Sequence, residues 1–250
     1  MRDLDLSVVI PAYLEEENLR IILPRLLAVL RDTGRRFEVL VVDTQSPIDN
    51  TRAVCEAHAV TYCPRKGGND YGDAVRTGLA AARGQHILFM DADGSHTPEF
   101  IPRLLEHGGT YHIVIASRYV DGGATENPAS LIFMSRVLNL VFTVVLRIPA
   151  RDVSNSFKLY RASLFDGMEL ECRHFDIIEE MLVKASVRER PLAIKEVPFV
   201  FKTRMFGVTK RDLVSFVLSF WVTLGRLFVM RLRALAQRHR TAGRAGPGST

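Results

Sequence analysis

The chain predicts an α/β fold, a mostly parallel sheet covered by helices on both faces, and three observations carry it. Strand-like and helix-like segments alternate through residues 1–118. The strand runs are continuously apolar rather than alternating, as buried parallel strands are. The first helical segment repeats apolar residues at helical spacing. A hydrophobic content of 47% is ample for the core of one large domain in 250 residues.

The elements follow in order. LSVVIP (6–11) reads as a buried strand. A helix is expected over 15–31, apolar at Leu19, Ile22, Leu23, Leu26, Leu27 and Leu30. FEVLVVD (37–43) is a second strand and 51–59 a second helix. A short strand at 60–63 leads through a Gly-rich loop (64–71), whose glycines and Gly72 suit close approach to a ligand, into a helix over 72–83. Strands follow at 86–91 and 111–116. Beyond Arg118 the alternation loosens. LIFMSRVLNLVFTVVLR (131–147) is a markedly apolar helix that could lie along a bilayer and guide a long hydrocarbon chain, its simpler reading being hydrophobic core, and 151–160 is a mixed segment. A helix is expected at 176–186, and a strand at 192–201 whose Pro198 suggests a sheet edge.

Charge is unevenly placed. The total is +5, but six arginines and no lysine or acid follow residue 212, which leaves the preceding body at −1. That body does not suggest a nucleic-acid binder. The expected division is a catalytic domain over 1–211, an amphipathic basic helix over 212–240 and a disordered tail over 241–250. Within the helix, 13 uncharged residues precede Arg226, short of the ~20 a membrane span needs. It is expected to lie at the membrane surface with its arginines on anionic head groups, the alternative being a helix that covers the core. The three cysteines (Cys55, Cys63, Cys172) lack C-x-x-C spacing, and the opening residues do not form a signal peptide. The expected location is the cytoplasmic face of a membrane, without disulfides.

Three strand ends carry acids: Pro11–Glu15 after the first, Asp43 at the second, and Asp91-Ala92-Asp93 after the fourth. In an open parallel sheet ligands bind beyond the carboxyl ends of the strands. Two neighbouring carboxylates at a buried strand end repel each other unless a cation lies between them. A divalent ion whose shell is completed by a diphosphate is the economical solution. No G-x-G-x-x-G and no P-loop is present, which argues against a dinucleotide or a bare nucleotide.

Seven segments in order resemble a family 2 glycosyltransferase of the GT-A, Rossmann-like fold, in the branch of dolichyl- and polyprenyl-phosphate mannose synthases. They are VVIPAYLEEENL (8–19), VVDTQSPIDNT (41–51), RKGGNDYGDAVRTGL (65–79), MDADGSHTPEFIP (90–102), ASRY (116–119), RDVSNSFKLYR (151–161) and VPFVFKTRMFGVTK (197–210). The resemblance implies that Pro11, Tyr13, Glu15 and Asp43 hold the nucleoside of a nucleotide-sugar donor. It implies that Asp91, Ala92 and Asp93 meet the donor diphosphate, with Mg²⁺ or Mn²⁺ on Asp91, Asp93 and Ser95. Arg118 would face the reacting groups, and Arg204 and Lys210 would close over the diphosphate. Arg118, Ser135 and Arg136 are candidates for the phosphate of a polyprenyl-phosphate acceptor. For a hydroxyl acceptor, His96, Asp176, Glu179 or Glu180 could supply a base.

Departures from the family pattern fall at Thr44, in place of the second acid of V-D-D, and at Leu131, in place of an arginine. No Q-x-x-R-W occurs, which argues against a processive polysaccharide synthase. The expected activity is inverting, metal-dependent transfer of mannose from GDP-mannose to a polyprenyl phosphate. The alternatives are another donor such as UDP-glucose, a hydroxyl acceptor, or a catalytically silent membrane-bound partner.

Overall fold

The computed structural model describes residues 2–205, 221–233 and 235–236. Lys210 and the expected tail therefore lie outside the described residues, as do parts of the expected last helix. Seven strands form the main sheet. They are β1 (Leu4–Pro11), β2 (Phe37–Asp43), β3 (Thr61–Pro64), β4 (Gly84–Phe89), β5 (Ile113–Ser117), β7 (Lys158–Arg161) and β8 (Ile194–Pro198), in the order β3-β2-β1-β4-β7-β5-β8. All neighbours are parallel except β7, which runs antiparallel between β4 and β5. Two short strands, β6 (Ala124–Thr125) and β9 (Val200–Phe201), pair separately.

Helices cover both faces, as continuous apolar strands require. One face packs on α1 (Glu16–Asp32), α2 (Thr51–Ala57) and α4 (Ile101–Gly108), through residues such as Leu19, Leu26, Val54 and Leu104. The other packs on α3 (Tyr71–Ala81), α6 (Ile177–Arg188) and part of α5 (Ala129–Leu146). Acids Glu16 and Glu17 in the first turn of α1 and Arg31 in its last match the helix dipole. Strand β8 lies at the sheet edge, as Pro198 suggests.

Three expectations change. The mixed segment holds a central strand, β7; its four residues include a fully buried Lys158, so no apolar run announces it. The glycines of the third loop approach the protein itself. A Cβ on Gly68 would strike the Asp73 carboxylate, and one on Gly72 the backbone of Cys172 and Arg173. Helix α5 is not core. Only Asn139, Phe142 and Leu146 are buried, while Phe133, Val137, Leu140 and Val144 are exposed at one face. A helix apolar all round has more apolar surface than packing on one side can cover. It is the one helix among the described residues long and apolar enough to cross a bilayer, with mean hydropathy 2.0.

Residues 221–233 are helical. Leu224, Leu227 and Met230 join the core on the α6 side. Arg226 reaches Asp176 (3.5 Å) and the Glu171 carbonyl (3.1 Å), and Arg231 donates to the Ser186 hydroxyl (2.7 Å). Two arginines expected at lipid head groups thus face the body. Alongside Arg226 and Arg233 this helix exposes a set of apolar side chains: Trp221, Val222, Phe228, Val229 and Leu232.

Candidate active site

Strand order fixes where the site is. The chain goes from β1 outward to β2 and β3, then returns to place β4 on the other side of β1. The crevice beyond the ends of β1 and β4 is thus the topological switch point, where side chains of helices on opposite faces diverge and leave room for a ligand. Pro11 and Ala12 lie at one lip and Asp91–Asp93 at the other.

The first lip is strained. Leu14 has φ +57°, the left-handed region that a Leu rarely adopts, and it is exposed together with Tyr13. Glu15 follows. Burial raises its pKa, its carboxylate accepts a hydrogen bond from Asn18 (2.5 Å), and it lies within the fields of Asp93, Arg204 and Asp91. Four of the expected site residues therefore converge.

At the second lip each acid is held from beneath. Asp91 Oδ2 accepts from the Ser156 hydroxyl (2.9 Å), and Asp93 Oδ1 accepts from the Ser95 amide (3.0 Å) and hydroxyl (2.6 Å). Arg204 donates to the other oxygen of Asp93 (3.0 Å). Ser95 is buried with its hydroxyl on Asp93, so here it orients that carboxylate. Among the described residues no group of three or more His, Cys, Asp or Glu forms a metal cage.

His96 is fully buried under this turn, stacked on Phe157 at 4.7 Å between ring centroids. Its Nδ1 accepts the Asp91 amide (2.9 Å), which leaves the proton on Nε2, facing Asn155 Oδ1 (3.2 Å). Burial lowers its pKa, so it stays neutral. With both nitrogens occupied it is a prop for the acidic turn and has no lone pair free for a base.

Beyond the β1 lip, Asp43 ends β2 wholly buried. Tyr62 donates to its Oδ2 (3.2 Å), Oδ1 has no partner among the described residues, and burial raises its pKa. Arg65, also buried, donates to the Ala12 carbonyl (2.5 Å) and through its backbone to Asp43 (2.9 Å), which ties the β1 lip to the β2 end.

On the opposite flank Arg118 is committed to Asp152. Its Nε (2.8 Å), Nη2 (2.7 Å) and backbone amide (2.8 Å) all donate to that fully buried carboxylate, and Nη2 also reaches the Ser154 hydroxyl (3.1 Å). Burial pulls the Arg118 pKa down, but Asp152 outweighs it and the net shift is upward. Asn139 completes the flank. Its Nδ2 donates to the Ser135 carbonyl (2.8 Å) and Ser154 hydroxyl (3.0 Å), and its Oδ1 accepts the Val153 and Ser154 amides. Arg136 lies over the Tyr119 ring at 5.6 Å, and Arg118 over the same ring at 5.0 Å.

Two of the three other base candidates are occupied. Glu180 accepts from the Glu171 and Cys172 amides and pairs with Lys184 (2.8 Å), and Asp176 caps His174. Glu179 is buried, which raises its pKa. Sequence reasoning missed Asp152, Ser156, Asn139 and Arg65. The first two stand in RDVSNSF, but nothing in their spacing says which acid or which serine turns inward.

The model of the glycosyl transferase family 2 matches residues 7–168. The chain belongs to that family. This family 2 glycosyltransferase is 33% identical to a dolichol-phosphate mannosyltransferase of Pyrococcus furiosus over 82% of its own length, although it spans only 58% of that longer protein. It is 35% identical to an undecaprenyl-phosphate mannosyltransferase of Micrococcus luteus (81% of this chain, 85% of the other). Identity to a polyprenol monophosphomannose synthase of Mycolicibacterium smegmatis is 29% (88% of each). The fold matches glucosyl-3-phosphoglycerate synthase of Mycobacterium tuberculosis, solved with Mn²⁺, UDP and glucosyl-3-phosphoglycerate. The TM-score is 0.67 at 15% identity, over 92% of this chain and 80% of that one. The same enzyme with Mg²⁺ and UDP gives 0.66 at 17%, over 89% and 79%. At such identity the likeness is one of fold.

Proposed function

We propose that this family 2 glycosyltransferase moves a sugar from a nucleotide donor, best matched by GDP-mannose, to a polyprenyl phosphate at a membrane surface, with inversion. One observation carries it: the paired carboxylates Asp91 and Asp93 at the β1–β4 switch point, each oriented by a serine and one already facing a cation. The names of the three relatives support the choice of sugar and acceptor.

The two acids fit a divalent cation. They are hard oxygen donors, side by side and partly open at 26% and 14% exposure, and Arg204 on Asp93 marks the spot as one that stabilises positive charge. Such an ion, when bound, neutralises charge on the departing diphosphate. The chain's own groups do the rest. Tyr13 and Glu15 border the place for the nucleoside. Asp43 keeps an oxygen for a donor group of the base or ribose once its cover moves aside. Arg204 can leave Asp93 for the diphosphate, and Lys210 would join it.

A phosphomonoester has its second pKa near 6, roughly, and is largely dianionic at neutral pH. Its oxygen attacks the anomeric carbon in line while the bond to the diphosphate breaks with its electron pair, so no side chain must take a proton. That agrees with the base candidates His96, Asp176 and Glu180 being hydrogen-bonded elsewhere, and it is the reason a hydroxyl acceptor is the weaker reading. The exposed apolar strips of α5 and residues 221–232 suit a lipid surface. The test is to incubate the protein with a panel of nucleotide sugars, Mn²⁺ and polyprenyl phosphate in anionic vesicles. Glycolipid detected by mass from GDP-mannose alone, with protein sedimenting with the vesicles, is expected. No product from any phosphate acceptor would overturn the reading.

A further inference from the structure

The residues after β9, 202–205, form a strap across the acidic turn. The Met205 amide donates to the Asp93 carbonyl (2.9 Å), and the Lys202 amide to the Ser95 carbonyl (3.3 Å). The Met205 side chain packs against Gly94, where a Cβ would come within 2.7 Å of its Cγ and Cε. Gly94 has φ +83°, so the turn and the strap both require a glycine there. Between these contacts Arg204 donates to Asp93 Oδ2 (3.0 Å).

The middle of the strap is held by an acid that the transfer chemistry above does not use. Glu126 lies between β6 and α5, outside every segment that resembles the family. Its carboxylate forms no ion pair among the described residues. One oxygen, Oε2, instead accepts both the Thr203 amide (3.0 Å) and the Thr203 hydroxyl (3.3 Å), while the Glu126 amide donates to the Phe201 carbonyl (3.0 Å). These bonds continue the β6–β9 pairing, Ala124 with Val200 and Thr125 with Phe201, toward the site. An ionised acceptor makes the stronger kind of hydrogen bond to an amide. An exposed acid committed to the residue just before Arg204 is placed to aim that arginine.

While the strap rests here, both oxygens of Asp93 are engaged: Oδ1 accepts from Ser95 and Oδ2 from Arg204. A divalent cation on Oδ2 would share that oxygen with a guanidinium, and like charges so close repel. Cation and arginine therefore compete for this carboxylate. A diphosphate ends the competition, because it offers the guanidinium oxygens of its own and gives the cation further ligands.

We propose that Glu126 is a positioning residue for Arg204. Through Thr203 it sets the strap so that the guanidinium guards the outer oxygen of Asp93, weakens binding of a divalent cation alone and yields when a nucleotide diphosphate arrives with it. The inference rests on the metal-and-donor reading of the acidic turn and deepens it, because it makes the order of loading a property of the strap: cation and nucleotide enter together.

The test is Mn²⁺ binding to the full chain, followed by loss of the free-ion electron paramagnetic resonance signal, with Mn²⁺ alone and then with GDP added. Arg204→Gln should tighten binding of Mn²⁺ alone by about fivefold, the size of a partly exposed ion pair. Glu126→Ala should tighten it by about twofold, and Glu126→Gln, which keeps a carbonyl acceptor for Thr203, should stay near the wild type. With GDP present the order reverses. Arg204→Gln should weaken the ternary complex by about tenfold, and Glu126→Ala should weaken it less. A general loosening of the fold would weaken both arms. Adding Glu126→Ala to Arg204→Gln should change the affinity for Mn²⁺ alone no further, because the acid acts through the arginine. Both side chains are exposed, so the circular dichroism spectra should match. Arg204→Gln binding Mn²⁺ alone no more tightly than wild type would overturn the proposal, as would a Glu126→Ala effect that persists undiminished in the Arg204→Gln background. The arm with Mn²⁺ alone does not depend on the sugar or base of the donor. The expected order there, with no glycolipid from any nucleotide sugar, would leave the strap standing and remove the transfer reading instead.

Discussion

The two halves of the sheet either side of the β1–β4 crevice solve opposite problems. On the β3-β2-β1 side, parallel strands end in groups with spare capacity: an exposed Tyr13, a partly exposed Glu15 and an Asp43 with one unpartnered oxygen. On the β7-β5-β8 side, the charges packed against the sheet are already answered. Arg118 is answered by Asp152. Glu196 is answered by the Ser117 hydroxyl and the Arg151 and Asp152 amides, and Lys158 by the Val153 and Asn155 carbonyls. The difference teaches that one half keeps hydrogen-bonding capacity unspent, as the proposed donor site requires. The other is a rigid buttress that aims Ser156 and Asn155 at the acidic turn.

The comparison is broken most severely at the crevice itself. Asp93→Ala removes one of two carboxylates and frees Arg204, whose pair with it is too exposed to matter much for folding. Transfer should fall by at least about 10²-fold with the circular dichroism spectrum unchanged. Glycolipid yield with Mn²⁺ is the measurement. Undiminished product from this variant in EDTA would end the metal mechanism.

Next in size is the buttress. Asp152 is fully buried, and removing it strands Arg118 without a counter-charge. Asp152→Ala should lose about 3–5 kcal/mol in urea denaturation. Adding Arg118→Met should restore part of that loss, because the stranded charge goes with it. A loss under about 1 kcal/mol would mean the pair does not hold the 152–156 segment, and the contrast between the halves would fail.

The first half was legible in the sequence because it obeys periodicity. Its strands are unbroken apolar runs, and α1 repeats at helical spacing from Leu19 to Leu30, so β1 to β4 fell within a few residues of their expected ends. Asp91 and Asp93 were legible because an abrupt pair of acids at a strand end has few structural excuses. The buttress was not legible. A buried lysine in β7 hides a central strand inside what reads as a mixed segment, and the two-residue strands β6 and β9 are too short to carry any pattern. The roles of Asp152, Asn139 and Ser156 are set by tertiary hydrogen bonds, which spacing cannot encode. Helix α5 misleads in the other direction, because hydropathy measures what a helix can bury and says nothing of how much neighbour it has.

The smallest effect sharpens the comparison by pH. Glu179, on α6 and within the field of the buried Lys158, is pushed up to about 7, chiefly by burial. A carboxyl whose pKa is raised on folding stabilises the native state fully below its unfolded value near 4.5. That contribution is lost as pH rises through the folded value, because the unfolded chain releases its proton first. Glu179→Gln keeps a neutral, hydrogen-bonding side chain at every pH. The variant should therefore match the wild type near pH 5 and gain on it in thermal midpoint between pH 5 and 8. Donor-side Glu15, raised by burial but partly exposed, offers a matched control: Glu15→Gln should show a weaker trend over the same window. Parallel pH curves for Glu179→Gln and wild type would mean this carboxyl is stabilised as an anion, as an ion pair with Lys158 would make it. The buttress would then hold charge by pairing on both of its layers, at Arg118–Asp152 and at Lys158–Glu179, instead of suppressing one charge by burial.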